Sequence, residues 1–530
     1  MAKTINLFLF CAPLLAMRML AADSAAVPGA QDLQRLREQI AKQQEEIKRL
    51  QASLEEQQRM LDKAMATLSA IPATAVNVAP VAYNLPRAQK PEAAPPSPLA
   101  IRLGNTELTP LGFMDMTFFA RSTNVGSGIG TNFFGIPYNN AAGGKLSETN
   151  FSAQNSRVGF RADSNVLGAK VLGYLEADFL FNNNSNSFQV TSNSAGLRLR
   201  NYFVDVQKGG FEVLGGQDWS FLTPNRKGLS PLPSDIFYTQ DIDTNYQLGL
   251  VWSRAPQFRF IAHPSDDFAF GVALENPQQY IGGGAGSSTV TLPANLSGAL
   301  ASQFQSGQST AGIPNLFPDI IVKAAYDGHA GDKLDHVEAA GLITGFQDYV
   351  PSTITTAVSG KHTAIGFGGE VNFSLELVKN FRVVSNNFWT QGGGRYIFGA
   401  APDLVVRPDG SISPLHAGST VDGFEAQVTP KSFFAAYYGG VYIGRDVVFD
   451  NTAGRPVYAG YGYPGSNQAR SGQEITFDWI QTLWKNRNYG ALALINQYSY
   501  LWKDPWSIPA GGPKQAHSNL IYVNLRYTLP

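Results

Sequence analysis

The sequence predicts an all-β transmembrane barrel of sixteen antiparallel strands, closed on itself and preceded by a short α-helical coiled coil and a Pro-rich linker. Three observations carry this expectation. From Leu111 onward apolar and polar residues alternate with period two. Short turns and long polar connections alternate between those segments, and charge is scarce, at 15% of 530 residues against about 25% in average soluble domains. No run of about 18 apolar residues follows the N-terminus, which excludes ordinary membrane-spanning helices. A formal net charge of −1 gives no support for a nucleic-acid partner.

The first element, residues 1–26, reads as a secretory signal peptide. Lys3 precedes an apolar run from Ile5 to Met17, and small residues surround Ala22 and Ala26; Arg18 is an unusual charge so late in the segment. Cleavage there removes Cys11, the only cysteine, so the mature chain enters an oxidising compartment with no thiol.

Residues 31–69 carry a heptad pattern. Leu33, Ile40, Ile47, Leu54 and Leu61 form one apolar column; Leu36 and Leu50 share the second with Gln43 and Gln57. An apolar stripe with charged outer faces is buried either against copies of itself or against its own domain. The first alternative predicts a coiled coil that joins copies of the chain. Residues 70–100 hold Pro72, Pro80, Pro86, Pro91, Pro95, Pro96 and Pro98, a spacing that forbids helix and favours a semi-rigid polyproline spacer.

The barrel occupies 101–530. In LGFMDMTFFAR, Met114, Met116, Phe118 and Ala120 alternate with Asp115, Thr117, Phe119 and Arg121, and SRVGFRAD and AKVLGYLEADFLF repeat the pattern. Seven short turns, such as SNVLG and QKGG, alternate with eight long connections, which gives sixteen strands with both barrel ends on the short-turn side. Parity then requires 246–262 to be one long strand, bulged at Pro256. The last strand, SNLIYVNLRYTLP, places Ile521, Val523, Leu525 and Tyr527 on one face. Hydrocarbon leaves no partner for a bare peptide group, so the sheet closes, and sixteen strands enclose a water-filled lumen instead of a packed core.

Inward positions include Arg157, Arg161, Arg198, Arg200, Arg259, Lys323, Arg382 and Arg526. They stand against Asp115, Glu176, Asp178, Glu275, Glu338, Glu370, Glu425 and Asp478. These charges either set up a transverse field that orients polar solutes or brace the wall in pairs. The basic groups on early strands favour anions, because guanidinium contacts carboxylate or phosphate in bidentate fashion. Arg198 and Arg200 share parity with Val204 and Val206, so a bulge is required between them. The third long loop, 218–246, holds Trp219, Phe221, Phe237 and Tyr238 and three prolines. It either folds into the bore, with Arg226, Lys227, Asp235 and Asp241 lining a constriction, or covers the rim.

Enzymatic signatures are missing from the sequence: no G-x-S-x-G, no H-E-x-x-H, no phosphate-binding loop and no cysteine ligand set, with six scattered histidines. The chain is therefore expected to be neither an enzyme nor a holder of cofactor or metal. His336 and Glu338 share one strand face, but two ligands do not make a metal site.

The segments SRVGFRAD, GYLEADF, LRLRNYFVDV, GGQDWSFLTP, VWSRAPQFRF, FAFGVALENP and QGGGRY resemble the DcaP-like trimeric porins and, more distantly, phosphate-selective porins. The resemblance implies a homotrimer in outer-membrane lipid, with the N-terminal coil in the periplasm. It also implies passive uptake of small anionic solutes such as dicarboxylates. A structural alternative has the coil tether the membrane to peptidoglycan.

Overall fold

The computed structural model describes residues 97–530, apart from 182–194, 244, 285–287, 307–311, 332, 400 and 453, together with isolated positions between 34 and 59. The chain divides into two units, Met1–Asn77 and Val78–Pro530. In the first, the described positions, among them Ala41, Lys42 and Glu45, are helical and exposed. The signal segment, the expected coiled-coil core (Leu33, Leu36, Ile40, Ile47, Leu50, Leu54, Leu61) and most of the linker lie outside the described residues.

The second unit is a meander of sixteen strands. It begins with β1 (Thr106–Arg121), β2 in two pieces (Glu148–Ser152 and Arg157–Val166), β3 (Ala169–Phe181), β4 (Gly196–Lys208) and β5 (Phe211–Trp219). β6 (Arg254–Ser265), β7 (Phe268–Glu275), β8 (Asp319–Ala330), β9 (Lys333–Val350), β10 (Gly360–Val378) and β11 (Phe381–Gln391) continue it. β12 (His416–Thr429), β13 (Ser432–Ile443), β14 (Ala469–Asn486), β15 (Gly490–Pro505) and β16 (Ala516–Thr528) complete it. Each strand pairs antiparallel with the next, and β16 closes on β1, with Leu525 opposite Met116. The closed sixteen-stranded barrel expected from the parity of turns is the observed fold, and among the described residues no edge of this sheet is left unpaired.

Period two explains the wall. Met114, Phe160, Phe258, Phe260 and Phe477 point outward and are exposed, whereas Asp115, Thr117, Glu176 and Asp178 are buried inside. Aromatic pairs strengthen the outer face across strands: Phe434 stacks on Trp479 at 6.1 Å and Trp389 on Tyr442 at 6.2 Å between centroids. Two-residue turns tighten one end. At Leu167 and Gly168 both φ angles are positive, 51° and 78°, the geometry of a hairpin turn that matches strand twist.

The bulge required after Arg200 is present: Glu176 pairs with Asn201 while Ala177 pairs with Leu199, so Arg198, Arg200 and Asn201 all face inward. The expected strand over 246–262 is not observed. β6 starts at Arg254, and Pro256 pairs in register with Gln217 without a bulge. The ladder between β6 and β7 starts only at Gln257, so Pro256 sits near a strand start where its missing N–H removes no bond. Residues 246–253 belong to the loop, with Leu248, Leu250 and Val251 fully buried.

Candidate functional site

The site is built where the inward faces of β1 to β4 and β16 meet the loop 220–253. On the wall, strand alternation sets arginines against carboxylates on neighbouring strands. Arg198 holds Asp178 in two bonds of 3.0 and 2.7 Å. Arg200 donates to the same Asp178 at 2.7 Å and to Glu176 at 2.6 Å. Arg157 lies 3.5 Å from Glu176 and donates to Asp243 of the loop. Arg526 donates to Asp243 at 3.1 Å and to Asp115 at 2.9 Å. The result is a continuous ladder: Arg198, Asp178, Arg200, Glu176, Arg157, Asp243, Arg526, Asp115. Four cations alternate with four anions, so the ladder is neutral while the loop is docked.

The remaining expected arginines stand apart from it. Arg161 pairs with Asp163 on its own strand at 2.7 Å, near the short-turn end and partly exposed. Arg259 pairs with Asp218 at 2.9 Å and donates to Gln257 at 2.6 Å. Arg382 is fully buried, donates to the Ser374 hydroxyl at 2.9 Å and lies 3.6 Å from Glu376. His336 is wedged between Asp327 at 2.6 Å and Glu338 at 3.1 Å, and Lys323 reaches Glu338 at 2.9 Å. Wall charges are therefore largely consumed in pairs or in holding the loop.

The loop 220–253 crosses the lumen, and buried acids and amides around the wall, from β7 to β15, receive its backbone. Glu275 accepts from the Phe221 N–H at 2.5 Å, Glu338 from Asn225 at 3.1 Å and Glu474 from Leu248 at 2.9 Å. Gln497 accepts from Ile242 and Asn386 from Val251, both at 2.8 Å. Buried backbone donors need such partners, and here the strands supply them in place of water. Between these anchors the loop buries Phe221, Leu222, Ile236, Phe237, Ile242 and Leu250 against side chains such as Phe134, Leu300 and Tyr396 from other long connections. The lumen at this level is packed with apolar side chains, which corrects the expectation of a water-filled bore throughout. Within the packing, Trp219 and Trp252 lie with ring centroids 3.8 Å apart and Tyr246 meets Trp252 at 4.9 Å.

The wall is shaped for this loop. A Cβ on Gly439 of β13 would fall 2.0 Å from the Leu248 carbonyl oxygen, so only glycine permits the main chain to lie there. Gly249, with φ of 92°, makes the turn that follows.

Four loop residues were expected at a constriction. Arg226 is buried and grips Glu425 of β12 with two bonds of 2.7 and 2.6 Å. Burial works against its charge, but the Glu425 carboxylate outweighs that and raises the guanidinium above its ordinary range. Lys227 is exposed, and Asp235 is partly buried, its carbonyl accepting from the Arg226 N–H at 2.6 Å. Asp241 is buried against the wall. The flanking Gln240 N–H donates to the Tyr437 hydroxyl of β13 at 3.1 Å and the Ile242 N–H to Gln497 of β15, so the loop passes over β14 at Asp478. Among the described residues no cation pairs with Asp241 or Asp478. Burial, and then the charge of Asp478, push the Asp241 carboxyl above its ordinary range.

One cavity of about 130 Å³ remains between loop and ladder, lined by Arg157, Arg526, Glu176, Asp241, Asp243, Trp219, Trp252, Tyr238 and Tyr246. Sequence reasoning missed Asp243, Tyr246 and Trp252. The signal was available: Leu250, Val251 and Trp252 are consecutive apolar residues, which period two does not tolerate in a one-sided strand.

A sealed barrel, apolar outside, charged inside and entered by its third long loop, has the architecture of a porin-type β-barrel. In fold the chain is DcaP-like. The outer membrane channel DcaP of Acinetobacter baumannii superposes with a TM-score of 0.56 at 15% identity, over 80% of this chain and 98% of that one. An anion-selective porin from Comamonas acidovorans gives 0.43 at 14% identity, over 80% and 100% of the two chains. OmpF of Salmonella typhi gives 0.43 at 9%, over 81% and 100%. No protein-family model and no curated protein sequence matches the chain.

Proposed function

We propose that the protein is an outer-membrane diffusion channel for small hydrophilic solutes, with a preference for small anions such as dicarboxylates. The observation that carries the reading is the arginine ladder. Two of its guanidinium groups, Arg157 and Arg526, line the cavity, with Arg200 and Arg198 next along the wall, while the uncompensated acids Glu474 and Asp478 lie under the docked loop on β14, two strands from Arg526. An anion would pass along the basic side, where paired donors replace its hydration. Passage requires the loop 220–253 to move, because its apolar side chains occupy the bore. The heptad segment is proposed to join three copies on the periplasmic side, with the linker as spacer.

Liposomes reconstituted with the protein test this reading. Swelling in iso-osmotic sodium succinate should exceed swelling in an uncharged sugar of similar size and in the chloride salt of a cationic amine of similar size. Equal permeation of all three, or none, would refute the anion preference or the channel respectively.

A further inference from the structure

Seven of the eight charged groups in the ladder sit on the barrel wall; Asp243 alone belongs to the loop. Its carboxylate is buried, and each oxygen faces a different arginine. Oδ1 accepts from Arg157 of β2 and from the Tyr246 hydroxyl, and Oδ2 accepts from Arg526 of β16 at 3.1 Å. Both guanidinium groups lie over the Phe113 ring of β1, at 5.2 and 4.1 Å from its centroid, so one aromatic plate sets their spacing. The fork is fixed by the wall, whereas the group that fills it is carried by the loop.

We propose that Asp243 is the resident occupant of a carboxylate subsite formed by Arg157 and Arg526, and that it determines how strongly the channel prefers anions. The inference rests on the porin reading above. With the loop docked, four arginines face four acids. With Asp243 withdrawn, the same four arginines face Asp115, Glu176 and Asp178 only, so the wall becomes more positive by one charge, with Arg254 of β6, stacked on Trp219, as a further cation beside it. Arg157 Nε and Arg200 Nη2 are buried without an acceptor, so the ladder holds spare donors that a second carboxylate can use. A solute carboxylate and Asp243 therefore compete for the same two guanidinium groups. A dicarboxylate has the advantage, since one end can take the fork while the other takes the spare donors.

Reversal potentials under a potassium chloride gradient in planar bilayers test the assignment with Asp243→Asn. The chloride-to-potassium permeability ratio should rise by at least about fivefold, the effect of one unit charge at contact distance in water on the anion alone. Asp243→Glu, which keeps the charge, should retain the parent ratio. An unchanged ratio in Asp243→Asn overturns the assignment, whereas a parent protein that conducts nothing overturns the porin reading instead. A second measurement uses the unaltered protein. Trp219 and Trp252 line the cavity, so succinate should change tryptophan emission saturably while potassium chloride at equal ionic strength should not. A flat succinate titration overturns the subsite even if the variants fail to fold.

Discussion

Glu425 on β12 accepts both terminal nitrogens of Arg226 at 2.7 and 2.6 Å, and neither side chain reaches solvent to more than 6%. The pair stands on the far side of the lumen from the arginine ladder, so the loop is clamped at both walls. Removing one partner of such a buried pair strands a charge and costs roughly 3–5 kcal/mol, whereas replacing both with apolar groups costs far less.

Arg226→Met alone should therefore undock the loop: proteolysis within 220–253 becomes faster and single-channel conductance rises. Arg226→Met combined with Glu425→Leu should recover most of the protease resistance. Limited proteolysis in detergent, read alongside conductance, checks both outcomes. Equal cleavage of the parent and Arg226→Met would show that the clamp does not hold the loop.

The second expectation concerns pH and Asp241. Its carboxyl is raised by burial first and by Asp478 next, so the docked loop keeps a proton that a free loop releases. Docking is thus favoured at low pH and weakens as pH climbs from the ordinary carboxylate range toward the raised value. Mean conductance should increase with pH across that window. Asp241→Asn, which leaves only Asp478 of the pair to ionise, should show a shallower profile; the same slope in parent and variant would remove Asp241 from the account.

The third concerns shape alone. Gly439→Ala places a methyl group 2.0 Å from the Leu248 carbonyl oxygen, and neither backbone can yield cheaply. The loop should lift, at a cost of about 1–3 kcal/mol, with a larger conductance. Gly369 of β10, where a Cβ meets nothing within 4 Å, provides the control: Gly369→Ala should conduct like the parent. Heat-modified mobility in gels confirms that both barrels are closed.

A fourth expectation follows from the heptads. Deleting residues 31–69 should leave a folded barrel that chemical cross-linking no longer captures as trimers. If trimers persist at the parent yield, the coil does not assemble the protein.

The strand count was legible because it depends on a local rule, alternation, and on a counting rule, the parity of short and long connections. The bulge at Arg200 was legible for the same reason, since Arg198 and Val204 share parity but face opposite sides. The path of the loop was not. The run Leu250 to Trp252 signals that period two is broken, but where this stretch crosses the lumen is decided by buried acceptors on distant strands, Glu474 and Asn386. Arg157, Arg200 and Arg526 were legible as inward arginines, whereas their joining into one ladder was not. That joining passes through Asp243, whose position is set by the loop and not by any strand period.

Single-channel recording of the unaltered protein in a planar bilayer, under a potassium chloride gradient, tests the central claim most directly: that this closed barrel conducts when its loop moves and that its arginine ladder favours anions. The account expects discrete conductance steps with a reversal potential displaced toward that of chloride. A protein that inserts yet never conducts, or a reversal potential displaced toward that of potassium, would contradict it.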